Sequence, residues 1–439
     1  MNSTIQLSDN QLDFSSLVSL QKGSPNWLES FRAEEYSNYI QQPKLSRKIE
    51  HWKYNDTSLF TQETFVTSPH FDINVNKEKL IEKFILPNAI RCVLVNGSYS
   101  TELSNIESFN DSISFTTFSK ANEKKSKKIT ELLASSLQKK NSLVQLNNSL
   151  STDGILIEID SNKVLETPVY VIYLNANTET KNLNACQVLV NCENNSQSTV
   201  LEHLIDFDNG TNDLNLQQSI INLEENSHCQ HYRINSMSSD SRQISRVLSL
   251  MKKNSSFNSF HYSKGSLFDK TDLDLYHQGQ NASIKLTGIY LPSGNQTVDY
   301  HTNVEHQVPH CTTQEIFRGI AADSSRATFN GKIHIFKDAQ KSDAQLSNKN
   351  LLLTNQAEIN TKPELEIYAD DVVCAHGATI AKIDDQAIYY LQTRGINKTH
   401  AKKMLSFGFI NELLEKIDNQ DVSRYLHQQV ESNLSEVER

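Results

Sequence analysis

The 439-residue sequence lacks any apolar run long enough to cross a membrane. Its longest runs, such as residues 169–174, have the length of a β-strand, whereas a membrane-spanning helix needs roughly 20 apolar residues. The first residues, MNSTIQLSDNQLDFSS, show neither the basic and then apolar order of a signal peptide nor the arginine-rich character of a transit peptide. We therefore expect a cytosolic protein.

Cysteine is sparse and scattered. The cysteines form no Cys-x-x-Cys motif and no dense framework of the secreted kind, so we expect reduced thiols. Each is by default a small buried apolar side chain. The six cysteines are Cys92, Cys186, Cys192, Cys229, Cys311 and Cys374.

Several catalytic signatures are also missing. The Gly-Lys pair within residues 331–333 is followed by Ile, so the chain has no phosphate-binding loop for ATP, and neither G-x-S-x-G nor G-x-G-x-x-G occurs. His306 and His310 have the histidine spacing of a zinc protease. However, Gln307 replaces the general base and Pro309 would break the required helix, which excludes that class of enzyme.

The chain has no excess of positive charge. It contains 42 Lys and Arg against 52 Asp and Glu, which gives a net charge of -10. This balance disfavours a nucleic-acid duplex or an anionic membrane as the main partner. The length predicts roughly two or three folding units.

The hydrophobic pattern changes twice along the chain. Apolar residues recur at helical spacing after Pro25, which suits a first helical turn, and again over residues 121–140. Short β-prone runs then follow one another, separated by Asn, Gly, Ser and Asp, before helical spacing returns after Asp384 and Asn397, two candidate caps. The predicted regions are a mostly helical one at 1–145, a β core at 146–383 and a helical one at 384–439.

The central pattern is compatible with a β-sandwich, a barrel or a β-solenoid. About 230 residues of short strands are long for one sandwich, whereas a β-helix grows by adding coils. No strict repeat is recognisable. The pattern therefore favours a solenoid without establishing it.

Three short clusters of cysteine and histidine could take part in metal chemistry, at residues 228–231, 310–311 and 374–376. None supplies four closely spaced ligands, so none is a self-contained zinc site. Cys374 and His376 differ from the others because residues two apart on a strand project to the same face, here beside Gly377. A buried cysteine next to a hydrogen-bonded histidine is the commoner arrangement. As ligands, the two residues could form only part of a shared site, since a cluster usually needs four.

From Gly288 onward the sequence resembles the SufB/SufD family of iron–sulfur cluster assembly scaffolds. The resemblance begins with GIYLPSGNQTVDYHTNVEHQVPHCTTQEIFRGI and continues through RATFNGKIHIFKDAQKSDAQLSNKNLLLTNQAEINTKPELEIYADDVVCAHGATIAKIDDQAIYYLQTRGI. WKY at 52–54 and VNGSYS at 95–100 are also similar, whereas residues 55–225 are less so. The block KPELEIYADDVVCAHGAT looks like the SufD branch of the family.

The resemblance implies a right-handed parallel β-helix between helical ends, in a complex with a SufB-like chain and the ABC-type ATPase SufC. Cys374 and His376 would lie at the SufB contact and hold a nascent iron–sulfur cluster transiently, together with SufB residues. ATP would bind only to SufC, whose dimerisation would shift the SufB contact. The chain would then be a scaffold and not an enzyme, with no tightly bound cofactor of its own. The other cysteines match no family ligand.

The C-terminal helices would dock SufC by the same resemblance, although their wide apolar face would otherwise be expected to pack on the β body. Lys270 stands in a strand where arginine is usual in the family, and Ala375 stands where many relatives carry serine. Neither departure changes the ligand set. The residues predicted to contact SufC are Tyr389, Arg394, Met404, Phe407 and Ile410.

Two alternative functions remain open. The chain could be a SufB-type main scaffold that holds the cluster alone, and the isolated chain could form a homodimer. It could instead be a carbohydrate-active solenoid that uses Asp370 and Asp371 as acid and base. Adjacent residues on a strand point to opposite faces, which argues against that enzyme.

Overall fold

The chain folds around a parallel β-solenoid. The structure is a computed structural model and describes residues 3–6, 24–67, 77–106, 112–135, 141–151, 153–176, 180–207 and 212–436. The strands are β1 (Ser3–Gln6), β2 (Thr64–Thr67), β3 (Ile90–Val95), β4 (Ser98–Tyr99), β5 (Ile113–Thr117), β6 (Gly154–Ile159), β7 (Val169–Asn175), β8 (Leu183–Cys192), β9 (Gln197–Asp206), β10 (Leu214–Leu223), β11 (His228–Asn235), β12 (Arg242–Met251), β13 (Ser256–Ser263), β14 (Phe268–His277), β15 (Ser283–Tyr290), β16 (Thr297–His306), β17 (Thr312–Ala321), β18 (Arg326–Ile335), β19 (Asp343–Leu352), β20 (Glu358–Ile367) and β21 (Val373–Lys382).

From β6 onward, successive strands alternate between two sheets and run parallel to their neighbours in each sheet. Among the described residues, sheet I has nine strands in the order β20-β18-β16-β14-β12-β10-β8-β6-β5. Sheet II has ten described strands in the order β21-β19-β17-β15-β13-β11-β9-β7-β3-β4. Each coil gives one strand to each sheet, and about 7 turns stack along the axis. The predicted mainly β, parallel solenoid fold is confirmed.

Helices lie at both ends of the chain. Asp384 and Asn397 are caps as predicted, since their side chains accept hydrogen bonds from the backbone N–H groups of Gln386 and His400. The helices are α1 (Asn26–Ile40), α2 (Ser58–Thr61), α3 (Lys77–Ile81), α4 (Glu123–Ser135), α5 (Ser142–Leu150), α6 (Asp385–Gln392), α7 (Lys398–Leu414) and α8 (Gln420–Glu436), with 3₁₀ turns at Glu50–Trp52 and Phe118–Lys120. No helix in the described part of the chain is long and apolar enough to span a membrane.

The N-terminal region is less purely helical than the sequence suggested. Strand β3 pairs in parallel with β7, and β5 pairs antiparallel with β6, so both sheets continue into residues 90–117. The helix predicted over residues 121–140 is α4, and residues 136–140 lie outside the described part of the chain. Both sheets of the solenoid therefore include strands from before residue 146.

Asparagine side chains form a ladder along one corner of the solenoid. Asn195, Asn226, Asn254 and Asn281 each have a positive φ, between 56° and 61°, which asparagine tolerates better than most residues. The Nδ2 of each residue from Asn226 onward donates to the Oδ1 of the preceding one, at 2.9, 2.9 and 3.1 Å. The steps are 31, 28 and 27 residues long, so the coils do repeat, but with variable length.

Three apolar layers hold the solenoid and its helices together. The interior core lies between the two sheets. Residues of α1 and α4, among them Leu28 and Leu133, pack with Leu189 and Leu248 on the outer face of sheet I. Residues of α7 and α8 pack with Tyr232 and other residues on the outer face of sheet II. Both outer faces are thus covered along much of the solenoid, whereas its last coil is not.

Candidate functional site

Cys374 and His376 lie on β21, the last strand of the solenoid. In the register of sheet II, Cys374 is opposite Ala344 and His376 is opposite Leu346 on β19. Ala344 and Leu346 are buried in the interior core. Cys374 and His376 therefore belong to the inward-facing row of the last coil, two residues apart on one face.

The last coil leaves this row accessible. Among the described strands, β21 pairs only with β19 and β20 only with β18, so each has an unpaired edge. Cys374 is half-buried and packs against the interior core, whereas His376 is exposed. The thiol and the imidazole thus lie at an open mouth of the solenoid.

The surroundings of Cys374 raise the pKa of its thiol. Partial burial raises the pKa of the Cys374 thiol, and the nearby carboxylate of Asp343 raises it further. Thiolates, and not thiols, ligate metals. A metal that is ligated by the Cys374 thiolate must therefore displace the thiol proton.

Apolar side chains are exposed around the same end of the solenoid. Their exposed fractions lie between 38% and 65%. Exposed apolar side chains beside unpaired strand edges are typical of a protein-protein contact. We call this set the end patch, and it consists of Phe336, Ile367, Tyr368, Val373 and Ile380.

Cys374 and His376 belong to no group of three metal-ligating side chains in the part of the chain that the structure describes. Its only three metal-ligating side chains close enough to share one ion are His51, Asp272 and His301, which lie on other elements. Iron–sulfur clusters usually take four protein ligands. Two candidate ligands are half of that number.

Comparison with known proteins decides the family. The sequence model for the SufBD core domain of SUF system FeS cluster assembly matches residues 173–409, and the model for the N-terminal region of SufBD proteins matches residues 7–171. The chain belongs to the SufBD family. The core match includes most of the solenoid together with Cys374 and His376, and the resemblance seen in the sequence is confirmed.

Named relatives of this SufBD chain are iron–sulfur cluster assembly proteins. A SufBD family protein of Synechocystis is 28% identical over 410 residues, which cover 91% of this chain and 87% of the relative. SufD of Bacillus subtilis is 24% identical over 425 residues, with 92% and 93% covered. SufD of Escherichia coli is 32% identical over 229 residues, which are 52% of this chain and 54% of the relative.

The C-terminal helices of the SufBD chain expose only part of the predicted SufC contact. Tyr389, Arg394 and Met404 are exposed, and Phe407 is half-buried beside the ring of His427. Ile410 is fully buried against sheet II, so it offers a partner no surface and is removed from the predicted set. The apolar helix face thus packs mainly on its own solenoid.

The other cysteines of the SufBD chain are free and buried, as predicted. Burial raises the pKa of Cys92 to about 12, which makes its thiol unreactive at neutral pH. His231 is also buried, with its Nε2 3.2 Å from Glu202 Oε2. The clusters at 228–231 and 310–311 therefore contribute no group of three ligands among the described residues.

Asp370 and Asp371 do not form an acid and base pair. Both lie in the turn between β20 and β21, not on a strand as the sequence argument assumed. Asp371 forms an exposed ion pair with Lys341, whose backbone N–H also donates to Asp371 O. This ion pair joins two successive turns of the solenoid.

Proposed function

We propose that this SufBD chain is a SufD-type scaffold subunit that supplies Cys374 and His376 as half of an iron–sulfur cluster assembly site. A SufB-like partner would supply the other half. The observation that carries the proposal is the position of both side chains in the inward-facing row of the uncovered last coil. The chain itself would catalyse no reaction, and the cluster would be its cargo.

The end of the solenoid supports a contact with a second β protein. The unpaired edges of β20 and β21 can accept another strand on each sheet. The end patch beside them would then be buried, which removes its apolar surface from water. A partner seated in this way covers the mouth that contains Cys374 and His376.

The chemistry of the pair fits transient ligation. The raised pKa of the Cys374 thiol favours the protonated form, which is a poor nucleophile and resists oxidation. The imidazole of His376 is an exposed ligand for iron. Two ligands from each chain would complete the usual four and would release the cluster when the chains separate.

The C-terminal helices support a mechanical link to an ATPase. Strand β21 ends at Lys382 and α6 begins at Asp385, so a force on α6 acts directly on the strand of Cys374 and His376. Tyr389 on α6 is 70% exposed and available to a partner. We propose that SufC docks at this surface and that its ATP-driven movement opens the mouth. The cytosolic location stays a prediction.

Reconstitution of the chain alone and with its partners tests the proposal. Iron and sulfide are added to the isolated chain, to the chain with the SufB-like protein and SufC, and to those partners alone. We expect the absorption of an iron–sulfur cluster to be strongest in the complete mixture. A stable cluster on the isolated chain would instead support a main scaffold of the SufB type. Size-exclusion chromatography of the isolated chain measures whether its open end also pairs two copies.

A further inference from the structure

A second group of metal-ligating side chains lies on the outer face of sheet I. The ligand atoms of His51, Asp272 and His301 all lie within 4.8 Å of one another. His51 belongs to the 3₁₀ turn Glu50–Trp52, Asp272 to β14 and His301 to β16. None of the three belongs to the Cys374 site, and the inference below does not depend on the proposed function.

Two adjacent strands fix the two ligands on the sheet. Asp272 and His301 are direct neighbours in the parallel register of β14 and β16, and both strands are paired on their other sides as well. The 3₁₀ turn is held by Trp52, which is buried and stacks on Phe268 with a centroid distance of 6.2 Å. The imidazole of His51 is therefore presented to the sheet by an anchored residue.

The separations fit a shared ion. His51 Nε2 lies 3.1 and 3.0 Å from the two carboxylate oxygens of Asp272, and the His51 and His301 ring centroids are 4.3 Å apart. Two ligands bound at about 2.0–2.2 Å to one Zn²⁺ in tetrahedral geometry lie roughly 3.3–3.6 Å apart. The ligand atoms of the three side chains, all within 4.8 Å of one another, are near the spacing that one shared ion needs.

A buried carboxylate lies next to His301. Asp299 Oδ1 is 2.9 Å from His301 Nε2. When His301 binds a metal, a nearby carboxylate is the group expected to orient the imidazole from outside the ligand set.

The local charge also favours a cation. Lys270 Nζ lies 3.0 Å from both Asp272 Oδ1 and Asp299 Oδ2, so one ammonium faces two carboxylates. Arg246 Nε lies 2.8 Å from Asp274 Oδ2, so the charges of this adjacent pair cancel. With neutral histidines, the two carboxylates and one ammonium leave a net negative charge. Asp272 Oδ2 is contacted by His51 Nε2 at 3.0 Å and accepts a hydrogen bond from Asn141 Nδ2 at 3.4 Å.

The ligands line a cavity of about 300 Å³ between the N-terminal segment and sheet I. Its opposite wall is largely apolar, with Pro43, Leu45 and Ile49. We propose that His51, Asp272 and His301 bind a divalent transition-metal ion such as Zn²⁺, with the remaining coordination positions facing this cavity. Two histidines and one carboxylate suit such ions, and a three-ligand site keeps a position for water or a small molecule.

Binding of Co²⁺ to the full chain, detected by its visible absorption and by competition with Zn²⁺, tests this site. The background variant carries Cys374→Ala and His376→Ala, so that the other ligand pair cannot contribute. We expect one bound Co²⁺ in this background and a loss of affinity of at least about tenfold after His301→Ala. His51→Cys should keep the ion and add a thiolate-to-cobalt charge-transfer band, because cysteine is also a transition-metal ligand.

His334→Ala is the matched control. His334 lies on the outer face of the same sheet, and its Nδ1 is 2.8 Å from Glu366 Oε2, but among the described residues it belongs to no group of three ligands. This variant should bind Co²⁺ like the background. Absence of Co²⁺ binding, binding that survives both His51→Ala and His301→Ala, or binding lost only with Cys374 and His376 would overturn the inference. If His301→Ala does not fold, the loss of Co²⁺ affinity is measured with His51→Ala instead, because the His51 side chain is 39% exposed.

Discussion

Cys374 and Ala344 are direct neighbours in the register of β21 and β19, yet Ala344 is fully buried and Cys374 is not. The difference arises because a further coil covers Ala344, whereas β21 is the last described strand of its sheet. A position that would be core anywhere else in the solenoid therefore becomes an accessible position at its end. The proposed site exists because no further coil in the described part of the chain covers this end of the solenoid.

The two surfaces proposed for partners should respond separately to substitution. Tyr368 is 61% exposed in the end patch and Tyr389 is 70% exposed on α6. Each change to alanine should alter the free energy of unfolding by less than about 0.5 kcal/mol, as at most surface positions. In co-purification, Tyr368→Ala should weaken retention of the SufB-like chain and Tyr389→Ala that of SufC. Equal loss of both partners in both variants would contradict this assignment.

Glu315 should make stability depend on pH. The side chain is buried, and Thr302 donates a hydrogen bond of 2.6 Å to Glu315 Oε1. Burial raises the pKa of Glu315 from 4.5 to about 7. Because the folded state holds the proton more tightly than the unfolded state, this carboxyl lowers the free energy of unfolding as pH rises from about 4.5 to about 7.

Urea denaturation of the wild type and of Glu315→Gln at pH 4.5 and pH 8 measures this effect. Between pH 4.5 and pH 8, the free energy of unfolding of the wild type should fall on the order of 3 kcal/mol more than that of the variant. This is the value expected when the pKa of one carboxyl differs by about 2.5 between the folded and unfolded states. Glu358→Gln, an exposed position on β20, serves as the control and should titrate like the wild type. Parallel pH profiles for wild type and Glu315→Gln would disprove the role of this carboxyl.

The buried pair of Glu202 and Arg233 should be sensitive to loss of one partner. Arg233 Nη1 lies 2.6 Å from Glu202 Oε2, and both side chains are at most 5% exposed. Glu202→Gln leaves a buried guanidinium without its counter-charge and should cost about 3–5 kcal/mol in denaturant unfolding. The exposed pair of Arg424 and Asp421, at 3.0 Å, provides the contrast. Asp421→Asn should cost less than about 1 kcal/mol.

Asn254 combines a backbone role with a side-chain role. It has a φ of 56°, donates to Asn226 at 2.9 Å and accepts from Asn281 at 3.1 Å. Asn254→Gly keeps the backbone conformation and removes the side-chain bonds, so it should cost about 1 kcal/mol. Asn254→Ala adds strain of about 1–2 kcal/mol. Equal melting temperatures for the two variants would exclude the backbone contribution.

Local features of the fold were predictable from the sequence. Asp384 and Asn397 cap their helices because capping depends on residues only two or three positions away. The parallel pairing of β3 with β7 was not predictable, because it joins residues far apart along the chain. The repeat was missed because the coils differ in length by a few residues, although Asn195, Asn226 and Asn254 mark it.

The candidate sites were predictable to different degrees. A spacing of two residues on one strand is enough to place Cys374 and His376 on the same face. That this face is accessible could not be predicted, because the sequence does not show where the solenoid ends. His51 and Asp272 are 221 positions apart, so no local spacing could bring them together. Ile410 was assigned to a partner because a helical pattern shows that a face is apolar without showing what covers it.

Cluster content of the assembled complex is the most direct test of the half-site. The complex is purified with Cys374→Ala, with His376→Ala and with the control variant His228→Ala, an exposed histidine of β11 outside the end patch, and bound iron and sulfide are measured after reconstitution. We expect both site variants to keep their partners and their fold, and to hold several-fold less cluster than the wild type, while His228→Ala matches it. Wild-type cluster content in both Cys374→Ala and His376→Ala would contradict the account.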